Sequence, residues 1–220
     1  MDKNIKRLYN NRFNERGVQQ KNKIWKALCD SFIQKYIPED SAVLDVGAGY
    51  CEFINNIKCR EKYAIDLNEN ISNFAHSDVK VFICSSLNMP FFSDNSIDIV
   101  FISNFLEHLR SKDEVIKTLS EIMRILRVGG GIIILQPNIR YAYKEYWDFF
   151  DHYLPFSDKS LIEVLQMVGF KIEKVLPKFL PYTTKSKIPQ NPFLVKIYLK
   201  LPFIWKIIGK QMFILGIKHV

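Results

Sequence analysis

An apolar run from Val43 closes on Asp45 and Val46, and glycines follow at Gly47 and Gly49 before Tyr50 and Cys51. The run predicts a buried strand, and the glycines predict a tight turn at its carboxyl end. A second short run, Lys62-Tyr63-Ala64-Ile65, ends on Asp66. Parallel sheets hold nucleosides in this way: the glycine backbone approaches the ligand, and the acid after the next strand accepts from ribose hydroxyls. No Gly-Lys-Ser/Thr follows the turn, and Cys51 stands where a dinucleotide fingerprint carries its third glycine. The expected ligand is a nucleoside without a pyrophosphate. The plainer alternative is a pair of ordinary turn glycines.

The remaining pattern places this turn in a larger sheet. Apolar positions Ile24, Trp25, Leu28, Phe32 and Ile33 predict a helix over 20–36, ended by Pro38. Strands are expected at 42–46, 62–65, 79–83, 97–102, 132–135, 170–175 and 212–217. A helix is expected after the glycine turn, through Glu52, Phe53, Ile54 and Ile57. Another runs from a cap at Asp113 to Leu126, broken by Gly129-Gly130-Gly131. A third runs from Ser157 to Val168 and ends at Gly169. Such alternation implies an α/β fold with a mainly parallel sheet covered on both faces. Ligands then sit beyond the carboxyl ends of the strands. That edge gathers Asp45 to Tyr50, Asp66, Ser85-Ser86, Asn104 to His108 and Pro137-Asn138.

With these residues on one edge, the chain resembles the class I S-adenosylmethionine-dependent methyltransferases of the type 11 kind. The matching motifs are Val43-Leu44-Asp45-Val46-Gly47-Ala48-Gly49, Asp66, and Leu87-Asn88-Met89-Pro90-Phe91 before Asp98. Ser103-Asn104-Phe105-Leu106-Glu107-His108-Leu109 and Leu126-Arg127-Val128-Gly129-Gly130 follow in order. The resemblance covers about 40–175, with a final strand near 211–217. It implies a Rossmann-like seven-stranded, mostly parallel sheet and S-adenosylmethionine as cofactor. It also implies the roles. Gly47, Ala48 and Gly49 meet the methionine part, and Asp45 lies beneath it. Asp66 accepts from both ribose hydroxyls, and Leu67 covers the adenine. Ser85 and Ser86 stand where the family often has an adenine-contacting aspartate, and Asn104 completes the set. Residue by residue there are plainer readings: Asp45 satisfying loop amides, Asp66 capping the next helix.

Methyl transfer to a hydroxyl is helped by a general base, and histidine suits neutral pH. Of four histidines, His108 follows the fourth strand and His152 lies after the fifth. Both are candidate catalytic residues, with a partner for Asp151 as the alternative for His152. The segment 137–156 is read as the acceptor side. Its aromatics, interspersed with Asn138, Arg140, Asp148 and Asp151, suit a sugar, whose CH faces stack on rings while its hydroxyls meet polar groups. Glu107, Asn138, Tyr141, Trp147 and Asp148 are the expected acceptor contacts, although most of these aromatics could equally be core. No metal is expected.

The net charge of +8 is unevenly spread: +6 over residues 1–37, −7 over 38–173 and +9 over 174–220, which hold no acid. An N-terminal helical extension (1–37) thus precedes a single methyltransferase domain (38–220) carrying a basic insertion (176–210). Five prolines cut that insertion into short pieces: one with Lys196 and Lys200 on one side, the next carrying Trp205 and Lys206, with Lys210 continuing the basic side. It reads as a peripheral contact with an anionic membrane or, equally, as a lid with solvated lysines. The chain is also similar to methyltransferases found with bacterial surface-polysaccharide biosynthesis. That similarity implies a small-molecule or lipid-linked glycan acceptor, and a cytoplasmic protein peripheral at the inner membrane. Four scattered cysteines fit a reduced compartment. The competing readings are a lipophilic acceptor such as a quinone precursor, nucleic-acid binding or modification, and an idle cofactor-binding module. No Asn-Pro-Pro-Tyr-like motif follows the fourth strand, so nucleic acid is not the expected partner.

Overall fold

The computed structural model describes residues 15–182 and 191–219, with side chains from residue 19 onward. Seven strands form one sheet: β1 Ala42–Val46, β2 Glu61–Asp66, β3 Val79–Ile83, β4 Ile97–Ser103, β5 Leu126–Pro137, β6 Phe170–Leu176 and β7 Gln211–Lys218. Their order is β3-β2-β1-β4-β5-β7-β6. All pairings are parallel except those of β7, which runs antiparallel to both neighbours. β1 and β4 are buried almost throughout, as central strands covered on both faces must be. The strand order reverses at β1, which places the loops after β1, β2 and β4 side by side.

One face is covered by α2 (Lys112–Ile125) and α4 (Asp158–Val168), with the short helix α3 (Ile139–Ala142) between them in the chain. Ser111 rather than Asp113 caps α2, accepting from the Glu114 amide, and Ser157 forms a capping box with Ser160. Inward Val115, Leu119, Ile122, Leu161 and Leu165 join Leu44, Val100, Ile102 and Ile134 in one core. β5 begins at Leu126 and runs through the glycine triplet, which therefore lies in the strand rather than between helix and strand.

The opposite face departs from the expected alternation. The helix expected through Glu52, Phe53, Ile54 and Ile57 is reduced to a 3-10 turn, Ile54–Asn56, and another 3-10 turn, Glu69–Asn73, links β2 to β3. Within the connection from Val46 to Glu61 the apolar residues plug the sheet directly. Phe53 stacks on Phe101 at 3.7 Å between centroids.

Distant segments cover what these short crossovers leave bare. The N-terminal helix α1 (Glu15–Leu28) continues through a π turn, Cys29–Ile33, and a 3-10 turn, Gln34–Tyr36. Two helices of the insertion, α5 (Pro192–Leu199) and α6 (Pro202–Ile208), pack beside it. Phe32, Phe179, Leu199, Trp205 and Phe213 form the shared core. The inner side of the insertion is thus a packed cover. Its outer side exposes Phe193, Leu194, Ile197, Phe203 and Ile207. Lys196, Lys200 and Lys206 are exposed with them. Lys210 leaves the expected basic side, because its ammonium pairs with Glu145. Among the described residues no helix is long and apolar enough to cross a membrane.

Candidate active site

The turn after β1 is built from three left-handed residues. Gly47 (φ 68°), Gly49 (φ 54°) and Cys51 (φ 58°) alternate with ordinary ones. A side chain at Gly47 would put its Cβ 2.3 Å from the Phe105 ring, so the turn after β4 seals this position. At Gly49 the same construction meets nothing within 4 Å. Its outer side is open for a ligand to approach the backbone. Asp66 ties this turn to β2: its carboxylate accepts from the Gly49 amide at 2.9 Å and from the Asn68 amide at 2.8 Å. The expected plain role of Asp66 as a cap falls instead to Asn68, which caps the next 3-10 turn, while Asp66 satisfies the two amides. Each oxygen keeps a lone pair for a hydroxyl.

Asp45 is buried beneath the turn. Burial, then the charges of Glu52 and Asp66, hold its carboxyl well above the usual range, against a hydrogen bond from the Ile54 amide. A carboxyl raised in the folded state adds stability at low pH that is lost as pH rises through its folded value. Asp45→Asn should therefore melt higher than wild type at neutral pH without ligand, the gain fading toward pH 4. Thermal melts across pH measure this; parallel profiles for the two proteins would exclude it.

Lys21 of α1 reaches Glu52 at 2.9 Å and lies 5.9 Å from the centre of the Tyr50 ring. The N-terminal helix thus touches the cofactor turn, a contact that depends on the fold and has no local sequence signal. Leu67 is half exposed just after Asp66. The Ser85 hydroxyl accepts from the Leu87 amide, and the buried Ser86 hydroxyl pairs with Thr118 of α2. Ser86 is left with its backbone for any ligand. Asn104 is exposed and left-handed (φ 47°), its amide bonded to the Leu135 carbonyl.

The turn after β4 and the segment after β5 meet at Glu107. Its carbonyl accepts from Tyr153 and Leu154 amides, clamping the segment onto the sheet edge. Its carboxylate is buried and accepts from Gln136 Nε2 at 2.6 Å. Burial raises its pKa, opposed first by neighbouring His108. His108 Nδ1 lies 2.8 Å from the Asp151 carbonyl. A carbonyl can only accept, so Nδ1 carries a proton, and in the neutral ring Nε2 is the acceptor. The His108 and His152 rings are 5.1 Å apart, and His152 stacks on Phe149. Adjacent residues do not share a helix face, yet the 3-10 turn Leu106–His108 brings both Glu107 and His108 to His152.

Other acceptor-side residues separate. Asn138 is buried, and its side chain joins three elements: it donates to Asp158 and the Pro177 carbonyl and accepts from the Arg140 amide. These bonds make it a joint of the scaffold at the carboxyl end of β5. Tyr141 lies between Arg140 and Lys178, whose charges are 5.4 and 4.7 Å from its ring centre. Trp147 and Asp148 are exposed, as are Tyr143, Phe150 and Tyr153.

Residues 44–134 match the model of a methyltransferase domain. An uncharacterized protein of Methanocaldococcus jannaschii is 33% identical over 136 residues, 61% of this chain and 56% of that protein. The tRNA (carboxymethyluridine(34)-5-O)-methyltransferase of Xenopus tropicalis is 26% identical over 110 residues, 50% of this chain and 17% of that protein. The chain thus spans little more than half, and about a sixth, of these relatives. A solved S-adenosylmethionine-dependent methyltransferase from Archaeoglobus fulgidus shares the fold at a TM-score of 0.63 and 22% identity, over 88% of this chain and 94% of that one. A methyltransferase domain model thus matches the part of the chain that holds the glycine turn and Asp66, within a fold shared with a methyltransferase whose cofactor is S-adenosylmethionine. The open backbone at Gly49 and the Asp66 carboxylate beside it fit that cofactor, which when bound supplies the activated methyl group.

Proposed function

We propose that this chain methylates a hydroxyl of a sugar in a nucleotide- or lipid-linked glycan. The observation that carries the reading is the aromatic segment clamped by Glu107 beside His108 and His152. Exposed Tyr143, Trp147, Phe150 and Tyr153 offer ring faces for a sugar's CH groups. His108 and His152 stand where a hydroxyl proton can be accepted or a hydroxyl oriented. The outer face of α5 and α6, apolar and ringed by lysines, supports peripheral contact with anionic lipid, where a lipid-linked acceptor resides.

Methyl-labelled S-adenosylmethionine tests the reading against separated acceptor pools. Label is expected in the nucleotide-sugar or lipid-linked glycan pool, as an alkali-stable ether. Label in a quinone-like extract or in RNA alone would overturn it. In the same preparations, the protein should float with anionic vesicles and lose flotation when Lys196, Lys200 and Lys206 become Ser. Unchanged flotation of that variant would remove the membrane contact.

A further inference from the structure

The cluster at the acceptor edge has the composition and spacing of a metal site. Glu107, His108 and His152 each bring a ligand atom within 4.8 Å of the others. Ligands bound at about 2.0–2.2 Å around one ion lie somewhat closer together than that, so a small inward side-chain movement would close the set. Glu107 is 1% exposed, and Gln136 fixes one of its oxygens while the other, Oε1, has no hydrogen-bond partner. A buried carboxylate oxygen left in this state is costly unless something cationic or protic meets it. His108 is already oriented as metal-bound imidazoles are: Nδ1 donates to the Asp151 carbonyl, with the Asp151 carboxylate at 3.4 Å, leaving Nε2 toward the cluster.

We propose that Glu107, His108 and His152 bind a divalent transition-metal ion, with Asp151 and Gln136 orienting the ligands. Two imidazoles and one carboxylate favour ions of intermediate softness, such as Zn, Co or Fe, over Ca or Mg. Three protein ligands leave coordination positions open for an oxygen of the acceptor. Held there, a hydroxyl is both oriented and made more acidic by the ion. This last step rests on the reading of a hydroxyl acceptor; the ion's binding does not.

The test uses untagged full-length protein stripped with chelator and titrated with Co(II) alone, without cofactor or acceptor. One equivalent is expected, giving visible d–d absorption without intense sulfur-to-cobalt charge transfer. His152→Ala and the less buried His108→Gln should each weaken binding about 100-fold or more, and Asp151→Asn about 10-fold. His76→Ala should bind as wild type does. Circular dichroism melts verify folding of each variant. No bound cobalt at millimolar concentration would overturn the proposal. So would a thiolate spectrum, or unchanged affinity in both folded histidine variants. If cobalt binds as expected but label from the acceptor experiment lands outside glycans, the metal site stands and the glycan reading falls. If glycan is labelled but no metal binds, the reverse holds.

Discussion

Asp66→Ala is expected to weaken S-adenosylmethionine binding by about 100-fold or more in calorimetry. Hydrogen bonds to a charged group contribute about 1.5–3 kcal/mol each, and two ribose hydroxyls would be released together. At about 1.4 kcal/mol per factor of ten, the pair alone reaches that loss. A second effect adds to it. The same carboxylate holds the Gly49 amide at 2.9 Å, so its removal also frees the turn that the ligand must meet. Asp66→Asn separates the two contributions. The amide oxygen can still accept from Gly49, but the charge is gone, so its affinity should fall between alanine and wild type. The fold should tolerate both changes, because Asp66 is only partly buried at the end of β2. Wild-type affinity in the alanine variant would remove Asp66 from the cofactor site.

The parts of this protein written locally in the sequence are those that the sheet alone determines. β1, β4 and β7 announce themselves as short apolar runs because central strands bury both faces. The glycine turn and Asp66 are legible for a related reason: the turn needs residues tolerant of left-handed backbone, and the acid follows one strand later. The missing helix after the turn was not legible. Phe53, Ile54 and Ile57 have helix-like spacing, yet they plug the sheet around a 3-10 turn, an outcome set by packing such as Phe53 on Phe101. The meeting of Glu107, His108 and His152 was not legible either. It depends on a 3-10 turn and on two backbone bonds from Tyr153 and Leu154 to a carbonyl more than forty residues away. Asn138 was ambiguous in the sequence, because a polar residue at a strand's carboxyl end marks equally a ligand contact and the helix cap it forms here.

The largest stability effect follows from the bare face that those short crossovers create. Phe32 is the joint between the N-terminal helical segment, the insertion and the sheet. Its ring centre lies 4.2 Å from Phe179, 5.2 Å from Phe213, 5.6 Å from Tyr36 and 5.8 Å from Trp205. Phe32→Ala should cost about 3–5 kcal/mol, combining lost apolar transfer with a cavity that rigid aromatic neighbours cannot fill. For a domain of this size that is a fall in Tm of roughly 6–20 °C. The damage should be directional. Trp205 loses an edge-to-face partner, so proteolysis within 191–208 should accelerate before global unfolding. Phe203 sits on the same helix but is exposed, so Phe203→Ala should stay within about 0.5 kcal/mol of wild type. Equal melting of the two variants would mean that the insertion is not held through Phe32. The contrast also separates the two sides of the insertion, since Phe203→Ala should weaken vesicle flotation while leaving stability intact, and Phe32→Ala should reduce stability first.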